Sequence, residues 1–268
     1  MFAKKTLLPF LFLIFICQGL YAQTHYTAAN VHAHNDYEQP VPFFAAYAAQ
    51  AGSIEADVFL RDGDLYVAHD LKDIRPDRTL EALYLKPLQK KIKQNNGTPY
   101  SQPEAKLQLL IDLKTDGKAS LPVLVKTLEK YPGISKNPAV QVVISGNRPV
   151  PTTWSRYPGF IYFDGRPGES YTTEELERVA LFSDSFRNYS QWNGKGLIAK
   201  KEQAKIEQTI DSVHQLDRKF RFWATPDNET SWQTLMQLGV DYIGTDDVAG
   251  LSNYLKEVPA DASQRKEP

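Results

Sequence analysis

Short apolar runs rich in β-forming residues recur along this chain, and most are separated from the next by a stretch of helical periodicity. Ala29 to His34 (ANVHAH) is followed by PVPFFAAYAAQAG, where Phe43, Phe44, Tyr47 and Ala48 fall at helical spacing before a stop at Gly52. SIEADVF (Ser53 to Phe59) leads into RDGDLYVAHD, in which Asp62-Gly63 signals a tight turn between two extended pieces. TLEALYLKPLQKKIKQN is amphipathic and stops at Asn96-Gly97, and LQLLIDL (Leu107 to Leu113) is apolar enough for a strand covered on both faces. A helix is predicted at LPVLVKTLEKY, and strands at VQVVIS (Val140 to Ser145) and GFIYFD (Gly159 to Asp164). Weaker strands fall at Val179 to Ser183, Phe220 to Ala224 and Asp241 to Thr245, with helices at Lys201 to Leu216 and Ser231 to Leu238. Eight main strands in this rhythm call for an α/β fold with a parallel sheet. A length of 268 residues, close to the roughly 250 of a (β/α)₈ TIM barrel, favours one closed barrel over a doubly wound open sheet.

The first residues obey a different rule. Lys4 and Lys5, an apolar run from Leu7 to Cys17 and a small residue at Ala22 read as a signal peptide over residues 1–22. The run is too short for the roughly 20 residues of a bilayer span, so no stable membrane insertion is expected. The barrel then occupies residues 23–256 and a polar tail residues 257–268, in a protein exported to the periplasm or the extracellular space. Cys17 is the one cysteine, so the chain beyond the leader is excluded from thiol catalysis, disulfides and cysteine-ligated metals. Lys+Arg 31 against Asp+Glu 32 leaves a net charge of −1, which provides no global field for nucleic acid. Nothing in the sequence points to a particular oligomeric state.

Polar residues sit inside the apolar strands, and these carry the chemistry. Glu55 and Asp57 in SIEADVF are two apart, so a strand turns both carboxylates to one face. Two close carboxylates raise each other's pKa unless they share a cation, and a hard divalent ion satisfies both. Asp112, near the end of LQLLIDL, reads with Lys114 two residues on either as an internal ion pair or, beside Glu55 and Asp57, as a third oxygen ligand for Mg²⁺ or Ca²⁺ with Lys114 a contact for an anionic oxygen. His32, His34 and His69 lie at strand ends, the active-site edge of a barrel, where two imidazoles facing a metal serve as general base and general acid. His25 and His214 read as surface residues.

The series His34, SIEADV, a DG turn, VAHD and LLIDLKTD resembles the phosphatidylinositol-phospholipase-C-like phosphodiesterase superfamily, which includes glycerophosphodiester phosphodiesterases and spider-venom sphingomyelinase D enzymes. The late segment FWATPDNETSWQTLMQLGVDYIGTDD resembles the closing unit of that superfamily. HAHNDY with EADVFLRDGDLYVAHD is most similar to a branch shared by fungi and bacteria and named in fungi for altered inheritance of mitochondria. The resemblance covers about Asn30 to Asp247, with Gly117 to Arg218 matched by strand rhythm alone. It implies a TIM barrel that cleaves phosphodiesters with one divalent cation, metal carboxylates at Glu55, Asp57 and Asp112, and catalytic histidines at His34 and His69. His32 stays an alternative to His34, which is preferred for its spacing to IEADV and for Asn35 beside it, a further ligand or phosphate contact. The chain departs from the glycerophosphodiesterase pattern in having HAHNDY for HRG and Asp112 where Glu is usual.

The expected function is hydrolysis of a glycerophosphodiester- or phospholipid-type substrate, with Trp223 at a strand end and Arg148 in SGNRPV as further substrate contacts. A metal-dependent phosphomonoesterase and a non-catalytic barrel binding phospholipid or glycan headgroups are the alternatives. An amidohydrolase reading of His-x-His lacks the later histidines that chemistry needs.

Overall fold

The computed structural model describes residues 25–258; the expected leader and most of the expected tail lie outside the described residues. Strands form where the apolar runs predict them: β1 Val31–Ala33, β2 Ser53–Arg61, β3 Asp64–Val67, β4 Leu107–Leu113, β5 Val140–Gly146, β6 Ile161–Gly165, β7 Val179–Ser185, β8 Lys219–Trp223 and β9 Ile243–Thr245. Eight of them run parallel in the order β8-β7-β6-β5-β4-β2-β1-β9. A parallel bridge between Arg221 of β8 and Tyr242 beside β9 brings the two ends of the sheet together. The result is a single, nearly closed eight-stranded barrel with helices around it, as the alternation of elements requires.

β3 stands apart from the barrel. Asp62 and Gly63, both at positive φ (51° and 87°), reverse the chain so that β3 pairs antiparallel with β2, while on its other side Tyr66 bridges to Thr79. The returning strand ends at Val67, opposite Val58, and so delivers His69 to the level of Asp57. The amphipathic stretch after it forms in two parts, a π turn at Glu81–Leu85 and an α-helix at Lys86–Gln94. Pro87 has no N–H with which to continue a regular ladder at that junction. The last helix, Val248–Glu257, takes Glu257 into the fold.

Alternation along each strand divides its side chains between two interiors. Ile54, Ala56 and Val58 of β2 and Leu109, Ile111 and Leu113 of β4 point outward into the core beneath the helices, where Leu121, Leu124, Ile206 and Ile210 meet them. The opposite faces fill the lumen. Leu110, Val143, Leu181 and Tyr242 form a small apolar plug there, and the remaining lumen is lined by His32, Ser53, Glu55, Gln108, Ser145, Asp164, Ser183 and Arg221, all buried. Gly52 lets the chain pass between β1 and β2, since a Cβ at that position would lie 2.0 Å from the Ala29 carbonyl oxygen. Because parallel strands all end on one side, the polar residues at their C-terminal ends collect at a single mouth.

Candidate active site at the barrel mouth

The register of β2 and β4 sets Asp57 directly beside Asp112. Lys114, just past the end of β4, lies between the two: its Nζ is 2.9 Å from Asp57 Oδ2 and 2.6 Å from Asp112 Oδ2. Both carboxylates push its pKa well above the usual lysine range, against the effect of burial. Asp57 is almost wholly buried, and burial, with the negative Glu55 two residues away, raises its carboxyl to about 6. Gly146, at φ +69°, ends β5 against this pair; a Cβ there would come within 2.7 Å of Asp112 Oδ1.

Glu55 faces a different set of partners. Burial alone would raise its pKa, but Arg221 and His32 hold it well below the carboxylate range, with Arg221 Nη1 at 3.1 Å and His32 Nε2 at 2.8 Å from Oε2. The ionised Glu55 carboxylate can only accept, so the proton of the neutral imidazole sits on Nε2 (2.8 Å), and Nδ1 accepts from the Ser53 hydroxyl (2.7 Å), whose oxygen accepts in turn from Gln108 Nε2 (2.8 Å). Arg221 Nη1 also abuts that nitrogen. Burial and Arg221 lower His32 to about 4, so it is neutral in the lumen.

His34 and His69 reach the open end. His34 is about one-third exposed and donates from Nδ1 to Asp246 Oδ1 at 2.8 Å. Asp246 and Glu55 outweigh burial and raise its pKa. Asp227, in the loop after β8, accepts from the Asp246 backbone N–H (2.8 Å) and from Trp232 Nε1 (2.7 Å), which fixes the loop bearing Asp246. His69 is more than half exposed and places Nδ1 3.0 Å from the hydroxyl of Tyr37. Tyr37, itself fully buried, puts that hydroxyl 2.6 Å from Asp57 Oδ2 and 2.8 Å from Asn35 Oδ1. Its single proton goes to a carboxylate or amide oxygen, so His69 donates from Nδ1 to the phenolic oxygen. Both exposed imidazoles therefore carry the Nδ1 proton and present Nε2.

The expected site residues thus divide into three groups. His34, Asn35, Asp57, His69, Asp112 and Lys114 gather at the mouth, with Glu55 one layer inside. His32 is sealed in the lumen and bound on both ring nitrogens, so of the two histidines in HAH it is His34 that reaches the open end. Trp223 ends β8 half-exposed on the same face. Arg148 departs from the expected phosphate contact: its guanidinium is buried 5.2 Å over the Trp154 ring and donates to Glu169 at 2.7 Å. The sequence reading missed Tyr37, Asp246, Asp164 and Arg221. Arg221 and Asp164 sit in strands whose apolar neighbours hide an inward-facing charge, although the alternation of β8 already set Arg221 apart from Phe220 and Phe222.

Whether these residues suit a divalent cation rests on the donors. Among the described residues, no three acids or histidines converge on one point as the side chains stand, because Lys114 holds Asp57 and Asp112 while Arg221 and His32 hold Glu55. Asp57 Oδ1 is nevertheless buried without any partner. A raised, half-unsatisfied carboxylate with two more acids adjacent is a hard-oxygen donor set short of positive charge, and it fits such an ion.

A nearly closed parallel barrel with helices around it is the fold of the glycerophosphodiester phosphodiesterase class of TIM barrels, and the comparisons place the chain there. A glycerophosphodiester phosphodiesterase from Parabacteroides distasonis superposes with a TM-score of 0.51 over 84% of this chain and 95% of its own, at 13% identity. Residues 22–133 match the AIM6-like phosphodiesterase domain, and residues 219–249 match the glycerophosphoryl diester phosphodiesterase family. The altered inheritance of mitochondria protein 6 homolog of Arthroderma benhamiae is 30% identical over 84% of this chain and 83% of its own length. The Eremothecium gossypii protein of that name is 28% identical over 84% and 69%. The chain belongs to this AIM6-like family, and phosphodiesterase activity is the function its membership supports. Among the described residues no helix is long and apolar enough to cross a membrane.

Proposed function

We propose that this protein hydrolyses glycerophosphodiester- or phospholipid-type diesters, with His34 and His69 as the acid–base pair and Glu55, Asp57 and Asp112 holding one divalent cation, Mg²⁺ or Ca²⁺. The observation that carries this reading is the matched anchoring of the two exposed imidazoles, His34 on Asp246 and His69 on Tyr37, at the end of the barrel where Lys114 and the carboxylates lie. Each anchor holds Nδ1 and leaves Nε2 for the substrate.

His69 Nε2 takes the proton of the attacking oxygen, from water or from a hydroxyl of the substrate, as the new P–O bond forms. His34, whose raised pKa favours the protonated ring, gives its Nε2 proton to the departing alkoxide as the old P–O bond breaks. The Lys114 ammonium offers a positive contact to the phosphate oxygens. A bound divalent cation supplies further positive charge against the charge that builds on a nonbridging oxygen. Asn35 is placed beside Tyr37 to contact the same group, and Trp223 to flank the entrance.

The test is turnover of bis(4-nitrophenyl) phosphate and 4-nitrophenyl phosphate side by side, with and without chelator. Diester turnover abolished by chelator and restored by Mg²⁺ or Ca²⁺ is expected; a preference for the monoester would overturn the reading. Export rests on the leader pattern over residues 1–22, and fractionation of cells expressing the chain with and without those residues tests it.

A further inference from the structure

A groove of about 640 Å³ opens beside His69. One wall is made by Asn35, Tyr37 and His69, so it is continuous with the site. The other is made by Lys72, Arg75 and Arg78, on the segment that follows the hairpin strand β3. A phosphodiester has two alcohol arms. With the phosphate at Lys114, an arm that passes His69 enters this groove.

The lining excludes an acyl chain, because burying alkyl surface against ionised side chains strips them of water with no compensating contact. One positive charge is fixed against the site residues, since the Arg78 guanidinium donates to the backbone carbonyl of Tyr37, the residue whose hydroxyl meets Asp57 and His69. Lys72 and Arg75 are mostly exposed and pair loosely, at 3.4 Å to Asp70 and 3.6 Å to Asp77, with acids that do not line the groove. Exposed pairs of that length hold their cations weakly, so both are free to turn to a ligand. Glu38 and Asp73 are the acids in the lining, outnumbered by the three cations.

We propose that this groove is a subsite for an alcohol arm that carries its own anionic group, a second phosphate or a carboxylate, clamped by Arg78 with Lys72 and Arg75. The proposal rests on the phosphodiesterase reading and sharpens it by naming the substrate class. Bidentate contacts from arginine give such an oxyanion both strength and orientation.

The experiment compares kcat/KM for glycerophosphoinositol and glycerophosphoinositol 4-phosphate, with bis(4-nitrophenyl) phosphate as the diester without such an arm. The bisphosphorylated substrate is expected to be preferred by about tenfold or more, with the preference falling several-fold between about 0.05 and 0.5 M salt as the groove charges are screened. In the Lys72→Ala/Arg75→Ala protein the ratio of the two glycerophosphoinositols should collapse toward one, through KM rather than kcat. Phosphatidylinositol 4-phosphate against phosphatidylinositol in vesicles repeats the comparison with a lipid headgroup, and preference in either format supports the groove while assigning its source. Equal turnover of all arms overturns the groove and leaves the phosphodiesterase reading standing. A ratio unmoved by the double substitution overturns it as well, and absence of turnover on every diester overturns both.

Discussion

The Nδ1 of His34 lies 2.8 Å from the Asp246 carboxylate, across 212 residues of chain. The contact joins the segments that follow β1 and β9, which are neighbours in the barrel. Replacing Asp246 with Ala frees the imidazole to rotate and to change tautomer. Diester turnover should fall at least tenfold, though by less than the roughly 10²–10⁴ of a lost acid–base residue. Asp246 is exposed, so thermal stability should hardly move, and melting curves beside the rates separate the two effects.

Histidines 32, 34 and 69 should respond in different currencies. His34→Ala and His69→Ala should each lower kcat by about 10²–10⁴ with little change in Tm. His32→Ala removes a neutral ring that is bound on both nitrogens inside the lumen and leaves Glu55, Ser53 and Arg221 to find new partners. It should cost roughly 2–4 kcal/mol of stability by the cavity and the lost hydrogen bonds together. Denaturant melts of the three variants check the ordering.

Asp57 gives a pH prediction whose sign is fixed by its raised pKa. Its carboxyl goes from an ordinary 3.8 to about 6 in the fold, through burial and the charge of Glu55, so above pH 6 the folded state carries an unfavourable charge. A shift of that size corresponds to about 3 kcal/mol, present above the folded pKa and relieved as pH falls from 6 to 3.8. In the presence of chelator, Asp57→Asn should therefore be more stable than the parent at pH 7, with the advantage shrinking toward pH 4, while turnover is lost. Urea midpoints across that range, with an Asn variant no more stable at pH 7 than the parent, would refute it.

Lys114→Met takes away the cation that holds Asp57 and Asp112 together. Two adjacent acids without it should destabilise the chelated protein by roughly 3–5 kcal/mol, as for a broken buried ion pair. Added Mg²⁺ or Ca²⁺ should recover part of that loss and more than it adds to the parent. A variant indifferent to both ions in thermal shift would argue against these carboxylates as the metal donors.

Gly146→Ala should weaken the site without replacing a charged group. The position has φ +69°, which an alanine adopts only with strain, and its Cβ would press on Asp112 Oδ1 at 2.7 Å. Half-maximal divalent ion for turnover should rise several-fold, read from titrations of the chelated enzyme.

Much of the barrel was legible because strand and helix periodicities are local, and the runs from SIEADVF to GFIYFD each became the strand their pattern implied. The carboxylate pair and His69 were legible for the same reason: a two-residue spacing turns Glu55 and Asp57 to one face, and a DG turn returns the chain at a fixed length. What no local pattern contains is which inward residues face each other across the lumen. Barrel closure decided that His32 engages Ser53 and Glu55 through its two nitrogens, that Arg221 of β8 reaches Glu55 of β2, and that Arg148 pairs with Glu169. The sequence by itself determined the alternation of elements and the residue types at the strand ends; the tertiary structure decided which of those groups are buried, paired or open to solvent, because partners from 21 to 212 residues apart meet only when the sheet curves round on itself.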